Sequence, residues 1–345
     1  MPKINGIQYS REDFLRHLGN FSHVAGITPL TFDSGRARGT RLLRVATGSG
    51  LEFDLLPDRC LDILALRYRG ITLSQMAKNG PTAPASGLPA PGFFPAAISG
   101  GMMFTGGLLN AGGDCVDAEG RFHTAHGNIG LAPAEELTAG GTWEGDEYIM
   151  RITGRMRESR LFHENLTLTR TVTTRLGSDE IELYDVVENL DSEPVEYAIL
   201  YHCNFGFPFL SPELCLKFPE NRITPRTPEA TAGLAAADQI SEPVDDFFEH
   251  VFFRDMQADP DGFVTVRAEN PALGIAAEIR YEQKNLPCFV QWKSMRSGDY
   301  ALGLEPSNTI LRGRAAEHEA GALPTLPGFG RVEFRLKFSF SELAK

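Results

Sequence analysis

Residues 166–190 read LTLTRTVTTRLGSDEIELYDVVENL, two runs rich in Thr, Val, Ile and Tyr separated by Gly177, Ser178 and Asp179. β-Branched and aromatic residues suit a pleated, half-buried surface. A turn-forming cluster between two such runs predicts an antiparallel hairpin. A further strand is expected over 195–203. At the C-terminus Val332, Phe334, Leu336, Phe338 and Phe340 alternate with Glu333, Arg335, Lys337 and Ser339, which predicts a strand with one buried and one wet face. The same period of two recurs at 41–47, 51–56 and 148–156.

Helical periodicity is confined to the start of the chain. There Ser10 precedes Arg11, Glu12 and Asp13, and Phe14, Leu15 and Leu18 share one face. With 35 Gly and 22 Pro in 345 residues, turns punctuate many short strands. The expectation is an all-β chain, a large antiparallel sandwich with a short N-terminal helix. No linker-like composition or internal repeat divides it. A single domain is therefore expected over 1–345, with 1–35 as helix and lead-in and 36–345 as the sandwich. The stretches 77–101 and 219–246 lack periodicity and read as irregular insertions.

Lys and Arg number 33 against 45 Asp and Glu, a net charge of −12. No basic stripe is present, so neither nucleic acid nor an anionic membrane surface is an expected partner. The five cysteines, at 60, 115, 203, 215 and 288, are scattered and form no C-x-x-C pair, which argues against a disulfide framework or a zinc ribbon. The N-terminus lacks the apolar core of a signal peptide, and no apolar run approaches the roughly 18 residues of a membrane span. A cytoplasmic protein is expected.

Several polar residues sit where chemistry is possible. His123 and His126 lie in FHTAHGNIG (122–130), and His202 interrupts the apolar run YAILYHCNFGFP (197–208). A histidine in such a strand either satisfies its nitrogens in the core or exchanges a proton with a ligand. Glu305 follows the strand-like YALGL, just before Pro306-Ser307-Asn308, and Gln291 and Trp292 lie in VQWKSM. An indole packs in the core or stacks on a sugar ring. Arg59 lies in LLPDRCLDI (55–63) as a ligand contact or as an ion-pair partner of Asp58 or Asp62, and Asn110 sits between glycine pairs in FTGGLLNAGGDC (104–115), a placement turn chemistry alone would explain. His123 and His126 also have the spacing of half a metal site. Nucleotide-binding and serine-hydrolase motifs are missing.

The order of His126-Gly127, His202 with Asn204 and a Phe/Pro turn, and Glu305 at a strand end resembles the aldose 1-epimerase (galactose mutarotase) superfamily. The PDRCLDI, HGNIG, QWK and LEPSN segments are most similar to an uncharacterised bacterial branch of it, over roughly residues 35–340. The resemblance implies a galactose mutarotase-like β-supersandwich whose concave face holds a sugar, and interconversion of α and β anomers without a cofactor or a metal. It implies His202 as general acid, Glu305 as general base and His126 as a second histidine near the ring oxygen. Asn110, Arg59, Gln291, Trp292 and His123 are the expected substrate contacts. The chain departs from the family in the fuller Asn-Arg pattern before the first histidine and in the Asp expected between His202 and Glu305, for which Asp238, Asp245, Asp246, Asp255, Asp259 and Asp261 all compete. Three rivals follow: a non-catalytic sugar-binding protein, a metal-dependent sugar isomerase using His123, His126 and a carboxylate, and a sugar-phosphate epimerase with an Arg clamp. A homodimer through sheet edges or the Phe-rich segment 244–253 is a further expectation.

Overall fold

The hairpin of 166–190 forms as strands Asn165–Arg175 and Glu180–Asn189, with Gly177 at the tip in the left-handed region (φ +74°). The computed structural model describes residues 1–4, 6–84 and 90–344, so positions 85–89 of the expected 77–101 insertion lie outside the described residues. The C-terminal strand Arg331–Glu342 runs between Glu180–Asn189 and Ile275–Glu282, antiparallel to both. Its alternation of buried Phe334, Leu336, Phe338 and Phe340 with more exposed partners follows the period of two.

Among the described residues these strands belong to an eight-stranded sheet that also contains Glu135–Glu144, Glu147–Ser159, Phe263–Asn270 and Cys215–Lys217. The second sheet has 11 strands. Its path runs Asn221–Pro225, His250–Met256, Cys288–Arg296, Asp299–Ser307, Ala198–Phe205, Met103–Leu108, Asp62–Tyr68, Leu51–Leu56, Arg41–Ala46 and Gly26–Thr31, and Ile71–Thr72 pairs beside Asp62–Tyr68. Leu55, Ile63, Tyr201 and Phe205 of this sheet share one apolar core with Ile152, Leu168, Leu183 and Phe338 of the other. The all-β antiparallel sandwich is therefore the architecture, and helix Arg11–His17 forms at the expected place, where Ser10 and Asp13 make a reciprocal capping box.

Two details differ from expectation. The sheet begins inside the supposed lead-in, because Gly26–Thr31 already pairs with Arg41–Ala46. The 219–246 stretch is also not wholly irregular: it contains strand Asn221–Pro225 and a short helix, Pro228–Ala232, capped by Thr227. Both elements are too short to show a period in sequence.

Strand Ala198–Phe205 is buried at every position. Ile199, Tyr201, Cys203 and Phe205 face the shared core. Ala198 and Leu200 point the other way, into a smaller cluster with Ala111, Val251, Val290 and Leu311. The second face of the larger sheet is thus covered by loops, and polar residues on it lie in a recess.

The hairpin places Arg170 directly opposite Asp185, both facing inward. The Arg170 guanidinium donates to Asp185, to Asp62 Oδ1 at 2.7 Å, to the Cys60 carbonyl at 3.0 Å and to Thr105 Oγ1 at 2.8 Å. Tyr201 donates its hydroxyl to Asp185 at 2.8 Å, and Thr105 donates to Asp62 through both N–H and Oγ1. Burial opposes the charge on Arg170, and Asp185 with Asp62 more than offsets it. Removing one partner of such a buried group leaves uncompensated charge, at a cost of about 3–5 kcal/mol. Arg170→Met is expected to lower unfolding stability by that amount, measured by urea denaturation.

Candidate active site

Adjacent strands of the larger sheet, Cys288–Arg296, Asp299–Ser307 and Ala198–Phe205, form the floor of a cleft of about 400 Å³, within the size range of small-molecule sites. Alternation decides which side chains reach it. His202 and Asn204 project from one strand, Glu305 from the next, and Val290 and Trp292 from the third. Gly303 sits opposite both Asn204 and Trp292 in the ladders, and a Cβ there would lie 2.2 Å from Glu305 Oε1. The missing side chain leaves room for the carboxyl.

His126 arrives on a loop docked against Met103–Leu108, the other neighbour of the His202 strand. The Gly107 N–H donates to the His126 carbonyl and the Asn128 N–H to the Gly107 carbonyl, each at 2.9 Å. A Cβ on Gly127 would come within 2.2 Å of that Gly107 oxygen, so the close approach requires glycine. The His126 and His202 rings meet edge-on at 5.7 Å, Phe104 stacks on His202 at 4.6 Å, and Trp292 meets His202 edge-on at 5.6 Å. Packing thereby fixes the His202 ring.

His202 Nε2 lies 3.1 Å from Glu305 Oε1. The alignment is not that of a hydrogen bond, and Glu305 Oε1, His202 Nδ1 and His126 Nδ1 all lack a hydrogen-bond partner. Buried polar groups are ordinarily satisfied. Atoms of this kind converging on one cleft mark a place for a polar ligand. Burial, and then the neighbouring His126, holds His202 well below the usual imidazole value. Burial, and then Glu249, pushes Glu305 well above the usual carboxyl value, with Arg226 opposing. Burial and Arg226 lower His126 to about 4. A buried carboxyl and imidazole side by side, each driven toward its neutral form, are suited to passing protons to and from a bound molecule.

Of the eight expected site residues, His126, His202, Glu305 and Trp292 line the cleft. The other four do not. Gln291 follows Val290 on a regular strand and so faces the opposite side from Trp292. It is fully buried, donating to the Ala237 carbonyl and accepting from Arg254. Arg59 pairs with neither Asp58 nor Asp62. It is buried and donates to Thr82 and the Ala97 carbonyl, tying down the segment that carries Phe94. Asn110 spends its amide on the Gly113 and Thr124 carbonyls and accepts from Arg314 N–H, which shapes the loop leading to His126. His123 turns to Asp117, 2.8 Å away, with its ring buried.

None of the six aspartates that compete for the expected position, Asp238, Asp245, Asp246, Asp255, Asp259 and Asp261, lines the cleft. Asp238 pairs with Arg254, Asp245 with Ser297, Asp255 with Arg222 and Asp259 with Arg280. That region contributes Arg226 and Glu249 instead, and Glu249 accepts from Trp292 Nε1 at 2.7 Å. Gln75, Phe94, Phe104 and the Lys78–Asp299 ion pair complete the walls. No motif singles these residues out, since they converge from six separate places in the chain. Among the described residues no group of three or more His, Cys, Asp or Glu is arranged to hold a metal ion, and no helix is long and apolar enough to cross a membrane.

A family model described as a domain of unknown function, DUF4432, matches residues 37–340. No curated protein matches the chain. Among solved structures, a candidate aldose 1-epimerase of Klebsiella pneumoniae is 25% identical, with a TM-score of 0.85 over 91% of this chain and 83% of that one. A galactose mutarotase-like protein of Clostridium acetobutylicum is 15% identical, with a TM-score of 0.60 over 93% of this chain and 100% of that one. The galactose 1-epimerase of Lactobacillus acidophilus is 10% identical, with a TM-score of 0.57 over 93% and 100% respectively. The fold is galactose mutarotase-like.

Two outcomes follow from the geometry. Gly303→Ala is expected to push the Glu305 carboxyl aside and lengthen its 3.1 Å approach to His202, which a crystal structure of the variant would measure. His126 titrates at about 4 when folded against 6.5 when unfolded, so the unfolded state binds more protons in that window. Stability is then lost as pH falls from 6.5 through 4, by at most about 3 kcal/mol because the ring keeps some contact with solvent. The difference in unfolding free energy between the protein and His126→Gln, followed from pH 7 to pH 4, checks this.

Proposed function

The chain belongs to the DUF4432 family, and from the chemistry of its cleft we propose that it is an aldose 1-epimerase-like enzyme, interconverting the α and β anomers of a sugar by acid/base ring opening. The observation that carries this reading is the 3.1 Å approach of His202 Nε2 to Glu305 Oε1 at the base of a recess large enough for a sugar. A hemiacetal carbon bears two oxygens, the C1 hydroxyl and the ring oxygen. An imidazole and a carboxyl this close can address both at once.

In the ring-opening step Glu305 carboxylate takes the proton of the C1 hydroxyl and His202 imidazolium gives one to the ring oxygen. The C1–ring oxygen bond breaks and C1 becomes a carbonyl. Rotation about C1–C2 presents the other carbonyl face, and the two transfers reverse. Before opening, the pair is ionic and holds one proton. Afterwards it is neutral and still holds one, because one proton has arrived from C1 and one has left for the ring oxygen. Burial favours the neutral pair, the form the two groups hold while the sugar ring is open. His126, neutral near pH 7, bonds the sugar near its ring oxygen. Trp292, its indole held by Glu249, offers an apolar face to the ring, and Asn204 and Arg226 supply hydroxyl contacts. The metal-dependent alternative loses a proposed ligand, since His123 is bonded to Asp117 outside the cleft.

Anomer exchange followed by NMR across aldoses, ketoses and their 6-phosphates tests the proposal. Acceleration of at least one sugar is expected, with Glu305→Gln and His202→Asn each slowing turnover by ~10²-fold or more while circular dichroism stays native. Saturable binding without acceleration would instead identify a sugar-binding protein. The rate should be bell-shaped in pH, falling on the alkaline side as the pair loses its shared proton and on the acid side as it gains a second. Glu305→Gln should abolish that shape.

A further inference from the structure

On strand Glu147–Ser159 the inward positions run Met150, Ile152, Gly154, Met156 and then Glu158, so a carboxyl ends a row of core-facing side chains. Glu158 is only 8% exposed and belongs to the smaller sheet, the one that does not form the cleft floor. A carboxylate there is costly unless specific donors meet it. Two do. Oε2 accepts from the Leu108 N–H at 2.7 Å, and Oε1 from Asn128 Nδ2 at 3.4 Å.

Those donors flank the junction that carries His126. Leu108 follows Gly107, whose N–H is bonded to the His126 carbonyl, and Asn128 is the residue whose own N–H returns to Gly107. His126 itself sits at φ +55°, a strained setting for a non-glycine residue that its surroundings must hold in place. We propose that Glu158 is a positioning residue for His126: it braces the strand-to-loop junction from beneath and so sets where the imidazole meets the sugar. The inference rests on the epimerase reading for its kinetic consequence but not for its structural one.

The groups facing Glu158 are Asn128 and the ion pair of Arg121 with Glu164. Burial, with Glu164 adding, raises its carboxyl to about 7, against the Leu108 and Asn128 hydrogen bonds and Arg121. The ionised form accepts the stronger hydrogen bonds, so the brace tightens as pH rises through about 7. The folded value lies above the unfolded 4.5. The contribution of Glu158 to stability is therefore greatest below 4.5 and is lost as pH rises through 7, while the grip on the His126 junction improves.

The test compares the full-length protein with Glu158→Gln and Glu158→Ala. It reads KM and kcat for whichever sugar the wild type anomerises, and the imidazole 1H–15N resonances of His126. Gln retains an acceptor for Leu108, and Ala removes it. Glu158→Ala is expected to raise KM by ~10-fold or more, with kcat within about threefold, and to shift the His126 resonances. Glu158→Gln should stay within about threefold of wild type and lose the rise in affinity through pH 7. Unchanged KM and unchanged His126 resonances in a folded Glu158→Ala would overturn the proposal, as would Gln damaging as much as Ala. Should Ala prevent folding, the pH response and the resonances of Glu158→Gln decide alone. If the wild type accelerates no sugar, the epimerase reading fails, whereas the His126 resonances still decide the role of Glu158.

Discussion

One buried guanidinium ties the two sheets together. Arg170 and Asp185 come from the smaller sheet, and Asp62, Thr105 and Tyr201 come from the larger. Because the donors of an arginine lie in a rigid plane, satisfying both carboxylates fixes how one sheet sits over the other. Thr105 and Tyr201 lie opposite each other in the ladder that joins the His202 strand to the strand bracing His126. The arrangement stands directly under the cleft floor. Burying several charges is a poor source of net stability; what it supplies here is a defined position for the strands above.

Burial then sets the character of the cleft. His202, packed against Phe104 and Trp292, and Glu305, seated over the missing side chain of Gly303, are buried next to each other without mutual hydrogen bonding. Their unused atoms are costly unless polar partners meet them. The same burial moves both groups toward neutrality, lowering the imidazole and raising the carboxyl.

The comparisons fit a division between scaffold and site. The fold persists down to about one residue in ten shared with the Lactobacillus acidophilus galactose 1-epimerase, because alternating strands and a continuous apolar core tolerate many sequences. Function is carried by the few side chains that face the cleft. In this chain Arg226 and Glu249 are what the region between 220 and 261 contributes to the cleft.

The sandwich was legible in the sequence wherever a strand buries one face only, as in 166–190 and 331–342, because a period of two records that asymmetry directly. The capped first helix was legible for the same kind of local reason. His126, His202, Glu305 and Trp292 were legible as polar or aromatic breaks in otherwise patterned segments. The errors have one physical origin. Strand Ala198–Phe205 is buried on both faces, so its pattern cannot say which face is core and which is cleft. Gln291 and Trp292 both looked available until the pleat sent them to opposite sides. Arg59, Asn110 and His123 resemble ligand contacts in composition, yet each is consumed by backbone or carboxylate partners that only folding brings near. By itself the sequence determined the strands, their buried faces and the residue types able to exchange protons. Tertiary structure alone decided which of those residues share a cleft, because contacts between segments up to some 200 residues apart leave no local period to read.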